Sequence, residues 1–201
     1  MTAPTYHQLK KSLRRTFHYM ERNEACLTNT CSFAGVKPIM VDLPYPPIRV
    51  RRENPAYANL LGMDYCGPVS ELSAITQYIN NENRVSREKC AMAKTLLGIG
   101  IAEMMHLQKL GELICLLGGK VDFIARPYNG RPRMWTPEYL TIPEHVGKML
   151  QADIAAEKDA ISQYQMHIKM IDDDCVNAVL RRIIQDEEYH VMLLRALERE
   201  V

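Results

Sequence analysis

Two stretches, IAEMMHL at 101–107 and QDEEYHV at 185–191, each hold a glutamate and a histidine three residues apart in a run that otherwise looks like the apolar side of a helix. Stepping by four and three residues through the first gives Met92, Leu96, Ile99, Glu103, His106, Leu110, Leu113 and Leu117. The second gives Val176, Leu180, Ile183, Glu187, His190, Leu194 and Leu197. Residues so spaced share one helix face, so both polar pairs are aimed into the core. An ionised carboxylate buried there without a partner is strongly unfavourable, and something must compensate it.

The rest of the chain supplies more of the same chemistry. ELSAITQY begins at Glu71 and EKDAISQY at Glu157, and the octets agree at Glu, Ala, Ile, Gln and Tyr. Glu103 follows Glu71 by 32 residues and Glu187 follows Glu157 by 30, so the chain reads as a duplicated helix pair that includes its polar core residues. The periodicity predicts helices over about 56–82, with a kink or break near Gly67 and Pro68, and over about 86–117, ending at Gly118 and Gly119. Two further helices are expected over about 143–171 and 174–199, with Asp172 to Asp174 at the turn between them. Residues 119–141, rich in Pro, Gly and aromatics, read as an irregular connection. Two helix pairs joined by one long crossover make an all-α four-helix bundle.

Four seam carboxylates carry the charge that two divalent cations would balance. Neighbouring positions i and i+3 let each Glu-x-x-His offer one oxygen and one nitrogen to the same ion. A bundle that adds a glutamate from each of two other helices holds a pair of iron or manganese ions. The expected ligands are Glu71, Glu103, His106, Glu157, Glu187 and His190, and the oxygen-rich set suits Mn or Fe. Tyr78 and Tyr164, one heptad beyond Glu71 and Glu157, are expected to hydrogen-bond ligand carboxylates or simply to fill the core. Asp64 reads either as part of that network or as a residue at a wet end of the bundle. Glu112, Asp186 and Glu188 fall off the seams and read as ordinary solvated or rim charges.

At 201 residues, with 47% hydrophobic and 24% charged, the chain can bury one sizeable core. Two regions are expected: 1–54, an N-terminal helix and Pro-rich linker, and 55–201, the bundle. A formal charge of +1 carries no signature of nucleic-acid binding. No signal peptide and no run of 18 apolar residues is evident, so a soluble, cytoplasmic protein without a membrane partner is expected. Residues 5–22 space Leu9, Leu13, Phe17 and Met20 as a short amphipathic helix. The six cysteines are expected reduced, with Cys26 and Cys31 the only close pair and no second pair to complete a four-sulfur metal site.

On these ligands, the repeat and the tyrosines, the sequence resembles the ferritin-like superfamily of dinuclear metal proteins. The segments YPPIRVRRENPAYANLL, GPVSELSAITQY and IAEMMHLQKLGELICLLGG resemble its manganese-catalase branch, including short spore-coat-type members, over residues 45–199. The resemblance implies hydrogen peroxide as substrate, two Mn or Fe ions per chain, a homo-oligomer and, for spore-coat relatives, association with that layer. It implies disproportionation of peroxide to water and dioxygen, with Glu71 and His106 on one ion, Glu157 and His190 on the other, and Glu103 bridging. Glu187 would be a second bridge, as in di-iron relatives, or a general base for peroxide protons. The competing readings are a rubrerythrin-like di-iron peroxidase or oxidase with an external electron donor, and a structural bundle held by its metals.

Overall fold

The computed structural model describes residues 29–127 and 130–201. The helix expected at 5–22 and Cys26 lie outside the described residues. Cys31–Val201 forms one compact unit. Its helices are α1 (Pro55–Cys66), α2 (Glu71–Val85), α3 (Cys90–Leu116), α4 (Val146–Met170) and α5 (Asp174–Glu198). Helices α2 and α3 pack as one hairpin and α4 and α5 as the other, and the two hairpins meet to form a four-helix bundle.

The break expected near Gly67 separates two helices, and local chemistry explains both ends. Pro55 opens α1 while the Asn54 side chain accepts from the Ala56 and Tyr57 N–H groups. Ser70 caps α2 by accepting from Ser73 N–H, which makes Glu71 the first residue of that helix. Helix α3 stops where the glycines predict. Gly118 takes a φ of 80°, its N–H donates to the Cys115 carbonyl, and Gly119 N–H donates to that of Ile114.

The crossover carries a two-residue antiparallel ladder, β1 (Ile124–Ala125) with β2 (Arg133–Met134), and a 3-10 turn at Pro137–Tyr139. Side chains of α2 pin this connection to the bundle. Gln77 Nε2 donates to the Thr141 carbonyl at 2.5 Å, and Thr141 N–H donates back to Gln77 Oε1 at 3.1 Å. Trp135 Nε1 donates to Ser73 Oγ at 3.0 Å.

Two apolar clusters make the core. Leu61, Leu110, Leu113, Val176, Leu180 and Ile183 belong to one, and Leu96, Ile99, Met149, Leu150 and Leu194 to the other. Each fully buried aliphatic side chain contributes about 1.5–3 kcal/mol. Along both α3 and α5 the chain passes from one cluster to the other through its Glu-x-x-His pair, which places a polar layer between them. Helix α3 is long and apolar enough by length and composition to cross a membrane, but its buried face carries Glu103 and His106 into this layer.

One expectation is corrected here. Cys31 is disulfide-bonded to Cys90, with Cα atoms 5.3 Å apart, rather than reduced. The 59-residue separation hides the pairing from any local spacing rule, because the segment after Cys31 runs back over α3, which Cys90 opens. Cys66, Cys115 and Cys175 are free. The Pro-rich segment that follows Cys31 lies against the bundle. Ile39 N–H donates to the Gly98 carbonyl at 2.9 Å, and a Cβ at residue 98 would lie 2.8 Å from Ile39 Cδ1. Only glycine allows so close a crossing. Beyond it, the buried Arg182 of α5 donates to the carbonyls of Val41 and Leu43, so this strap is held along the bundle by partly buried polar bonds.

Candidate metal centre

Each of the four bundle helices brings its polar residues to the same layer. Helix α2 supplies Glu71, α3 Glu103 and His106, α4 Glu157, and α5 Glu187 and His190, and all six are buried. They form two groups, Glu71, Glu103, His106 and Glu187 on one side and Glu103, Glu157, Glu187 and His190 on the other. Within each group, one donor atom per residue lies within 4.8 Å of all the others. Each group could hold one ion.

The two groups share both Glu103 and Glu187. Glu103 Oε2 lies 2.8 Å from His106 Nδ1, and its Oε1 lies 3.0 Å from His190 Nδ1. Glu187 Oε1 lies 3.2 Å from His106 Nδ1, and its Oε2 lies 3.0 Å from His190 Nδ1. Glu71 and Glu157 stand farther out, at 3.7 Å from His106 and 3.8 Å from His190 respectively.

Hydrogen bonds at the far ring nitrogens fix both imidazoles. His190 Nε2 lies 2.8 Å from the Ile39 carbonyl, which can only accept, so Nε2 carries the proton and Nδ1 faces the carboxylates. His106 Nε2 lies 3.2 Å from Asp186 Oδ2. Asp186 is fully buried, correcting its reading as an ordinary solvated or rim charge. It accepts from Val41 N–H at 2.8 Å and from the Tyr45 hydroxyl at 2.7 Å, and pairs with Arg182 at 2.7 Å. Burial raises its pKa, but the bonds from His106, Arg182 and Tyr45 outweigh that and hold it at about 2. The strap covers a second face of α5 that would otherwise be wet. Glu112 and Glu188 are exposed.

Without an ion, protons do the neutralising. Burial, reinforced by the neighbouring carboxylates, pushes Glu71 and Glu157 well above the usual carboxylate range. Burial acts the same way on Glu103, but the positive charges of His190 and His106 outweigh it and hold that group low. Burial lowers the two imidazoles, and the charges of Glu103 and Glu187 outweigh it to raise both. Glu103 Oε1 is buried, and its polar neighbour is His190 Nδ1 at 3.0 Å. Four carboxylates and two inward-facing Nδ1 atoms are a donor set that divalent cations fit.

Around this layer the duplicated halves cross-brace one another. The Tyr78 hydroxyl donates to Glu157 and the Tyr164 hydroxyl to Glu71, each bonding the glutamate of the other repeat. Ten residues beyond each of these glutamates stand Asn81 and His167, and both hold a buried aspartate. Asn81 Nδ2 donates to Asp153 at 2.9 Å, and His167 Nδ1 lies 2.8 Å from Asp64 Oδ2. Gln163 adds a bond to Asp64 Oδ1 at 2.7 Å, so Asp64 sits in the buried network and not at a wet end. Sequence reasoning missed His167, Asn81 and Asp153. The repeat offered a signal for the first two, since they occupy equivalent places after Glu71 and Glu157.

A cavity of about 320 Å³ opens between α2, α4 and the crossover, and Glu71, Glu103, Glu157 and Glu187 line it. Tyr139, Leu140 and Thr141 of the crossover form part of its wall.

A four-helix bundle with two groups of carboxylate and imidazole donors defines a class of dinuclear metal proteins. Residues 70–200 match the ferritin-like domain, and the chain belongs to that family. A probable manganese catalase of Clostridium acetobutylicum is 28% identical over 165 residues, covering 74% of this chain and 72% of that one. KatB, a manganese catalase from Anabaena, has a similar structure, with a TM-score of 0.67 and 27% identity over 79% of this chain and 78% of KatB. The bacterioferritin of Rhodobacter capsulatus, described with a metal-free dinuclear site and haem iron, gives a TM-score of 0.59 and 25% identity. That match covers 72% of this chain and 84% of the bacterioferritin.

Proposed function

We propose that this protein disproportionates hydrogen peroxide to water and dioxygen at a dinuclear manganese centre. The observation that carries the reading is the pair of buried donor groups sharing Glu103 and Glu187 at the floor of a cavity. The similarity to two manganese catalases supports manganese and peroxide. Glu71 and His106 would hold one ion, Glu157 and His190 the other, and Glu103 and Glu187 would span both. Two bound manganese ions supply a reversible two-electron couple, which peroxide disproportionation requires.

The chain's own residues do the rest. The Ile39 carbonyl and Asp186 keep the protons of His190 and His106 on Nε2, so that both Nδ1 atoms stay turned inward. The tyrosine hydroxyls hold Glu71 and Glu157 in place. Burial of the layer between two apolar clusters keeps bulk water from the donors. Glu103 and Glu187 border the cavity, so they are placed to hold or move a substrate proton at their carboxylate oxygens.

A second reading is favoured by one specific feature, the sharing of both Glu103 and Glu187 between the two groups. Two shared carboxylates suit a di-iron peroxidase or oxidase supplied with electrons by a separate donor, and the bacterioferritin similarity points the same way. Elemental analysis, run with a dioxygen-electrode assay on hydrogen peroxide without reductant, separates the two. About two Mn per chain with dioxygen release supports the catalase; about two Fe with little dioxygen supports the second reading. Neither metal after reconstitution removes both.

A further inference from the structure

The cavity is far larger than hydrogen peroxide needs. It measures about 320 Å³, whereas one water takes up roughly 30 Å³ in the liquid. That volume falls in the range of sites for organic ligands, about 300–1,000 Å³. Helix α4 brings four methyl side chains to its wall, Ala152, Ala155, Ala156 and Ala160, beside its polar residues, while Val69 and Leu140 contribute elsewhere in the lining. The crossover wall is built to stay in place, since Gln77 makes two hydrogen bonds to the backbone of Thr141. Glu71, Glu103, Glu157 and Glu187, all buried, lie on the lining. Among the described residues no lysine or arginine lines the cavity, and beyond the four candidate ligands, whose charge two divalent cations would balance, Asp64, Asp153 and Asp159 remain to favour neutral molecules over anions.

Resting on the peroxide reading above, we propose that the site also takes neutral alkyl hydroperoxides of a few carbons and reduces them to alcohols, with hydrogen peroxide as the electron donor. The O–O bond of ROOH breaks and takes up two electrons and two protons, giving ROH and water. One hydrogen peroxide gives up two electrons and two protons and leaves as dioxygen. The sum, ROOH + H2O2 → ROH + H2O + O2, balances without another reductant. The alkyl group would occupy the alanine wall while the hydroperoxide end reaches the carboxylate floor.

The test uses the full chain loaded with manganese, tert-butyl hydroperoxide with and without hydrogen peroxide, tert-butanol measured by gas chromatography, and dioxygen by electrode. The expected result is tert-butanol formed only when hydrogen peroxide is present. Ala156→Leu and Ala152→Leu, made separately, should each lower the ratio of tert-butanol to dioxygen at least about tenfold by filling the room. A second readout needs no turnover: the methyl protons of tert-butanol should relax faster with manganese-loaded than with zinc-loaded protein, and Ala156→Leu should abolish the difference. Dioxygen from hydrogen peroxide alone with no tert-butanol overturns the inference and leaves the peroxide reading standing. No dioxygen from hydrogen peroxide overturns both. An unchanged product ratio in both variants, or no relaxation difference, overturns the alanine wall as the binding surface.

Discussion

Tyr164 donates its hydroxyl proton to Glu71, although the two stand in different repeats, and Tyr78 bonds Glu157 in the reciprocal way. Each repeat thus holds the outer carboxylate of the other. Tyr164→Phe and Tyr78→Phe each leave a buried carboxylate short of a partner, at a cost of about 1–3 kcal/mol. Loss of a bond that orients a ligand typically weakens metal binding about 10–100-fold. Each variant should therefore melt lower and bind manganese more weakly in a metal titration. Wild-type affinity in both would show that the hydroxyls only fill space.

The matched contacts of Glu103 and Glu187 with both imidazoles give a stoichiometric prediction. If both carboxylates span the two ions, Glu103→Ala and Glu187→Ala should each leave about one ion or fewer per chain by elemental analysis. Exposed Glu112 makes its contact with Gln108 of the same helix, so Glu112→Ala should keep the wild-type content. Full occupancy in Glu187→Ala, with peroxide turnover lost, would instead make Glu187 a base that is not a ligand.

Protons and metal compete for the same atoms. Glu71, Glu157, His106 and His190 all have raised proton affinity in the ion-free layer, so an incoming cation must displace protons from them. Apparent metal affinity should rise with pH and fall as the medium is acidified. Calorimetric titration in two buffers of different ionisation enthalpy should show net proton release on binding. Removing the metal should also lower the melting temperature, because a ligand held at 100 times its Kd adds about 2.7 kcal/mol to stability. Identical melting before and after verified metal removal would argue against a buried dinuclear site.

Helical periodicity makes the metal layer legible because it reports which residues share a buried face, and the repeated octet extends that reading from α3 and α5 to Glu71 and Glu157. It reports only one face per helix. Asp186 lies off the seam of α5, and what buries it is the strap at 36–50, whose backbone contacts have no periodicity to read. The Cys31–Cys90 bond has the same origin, since it depends on where that strap crosses α3. Asp64 could not be placed because its environment is set by the break at Gly67 and by two side chains of α4, Gln163 and His167. The cavity is likewise a tertiary feature, formed where the pinned crossover meets two helices.

Asp153 offers a prediction separate from the metal. Buried beside Asn81, it has its pKa raised by desolvation to about 7, from 3.8, despite the Asn81 hydrogen bond that opposes the rise. Between those values the folded chain holds a proton that the unfolded chain has lost, so this group makes stability fall as pH rises from about 4 to 7. Above 7 the full cost of a buried charge is present. Asp153→Asn removes the charge and keeps one of the two oxygens that accept from Asn81 at 2.9 and 3.0 Å. At pH 8 it should stabilise the protein by on the order of 2 kcal/mol, a rise of about 4–8 °C in Tm for a chain of this size. The gain should shrink toward pH 4, where aspartate in the wild type is protonated in the fold at little cost. Thermal melts of both proteins across this range test the sign, and a gain that grew on acidification would show that the Asp153 charge is stabilised by its surroundings.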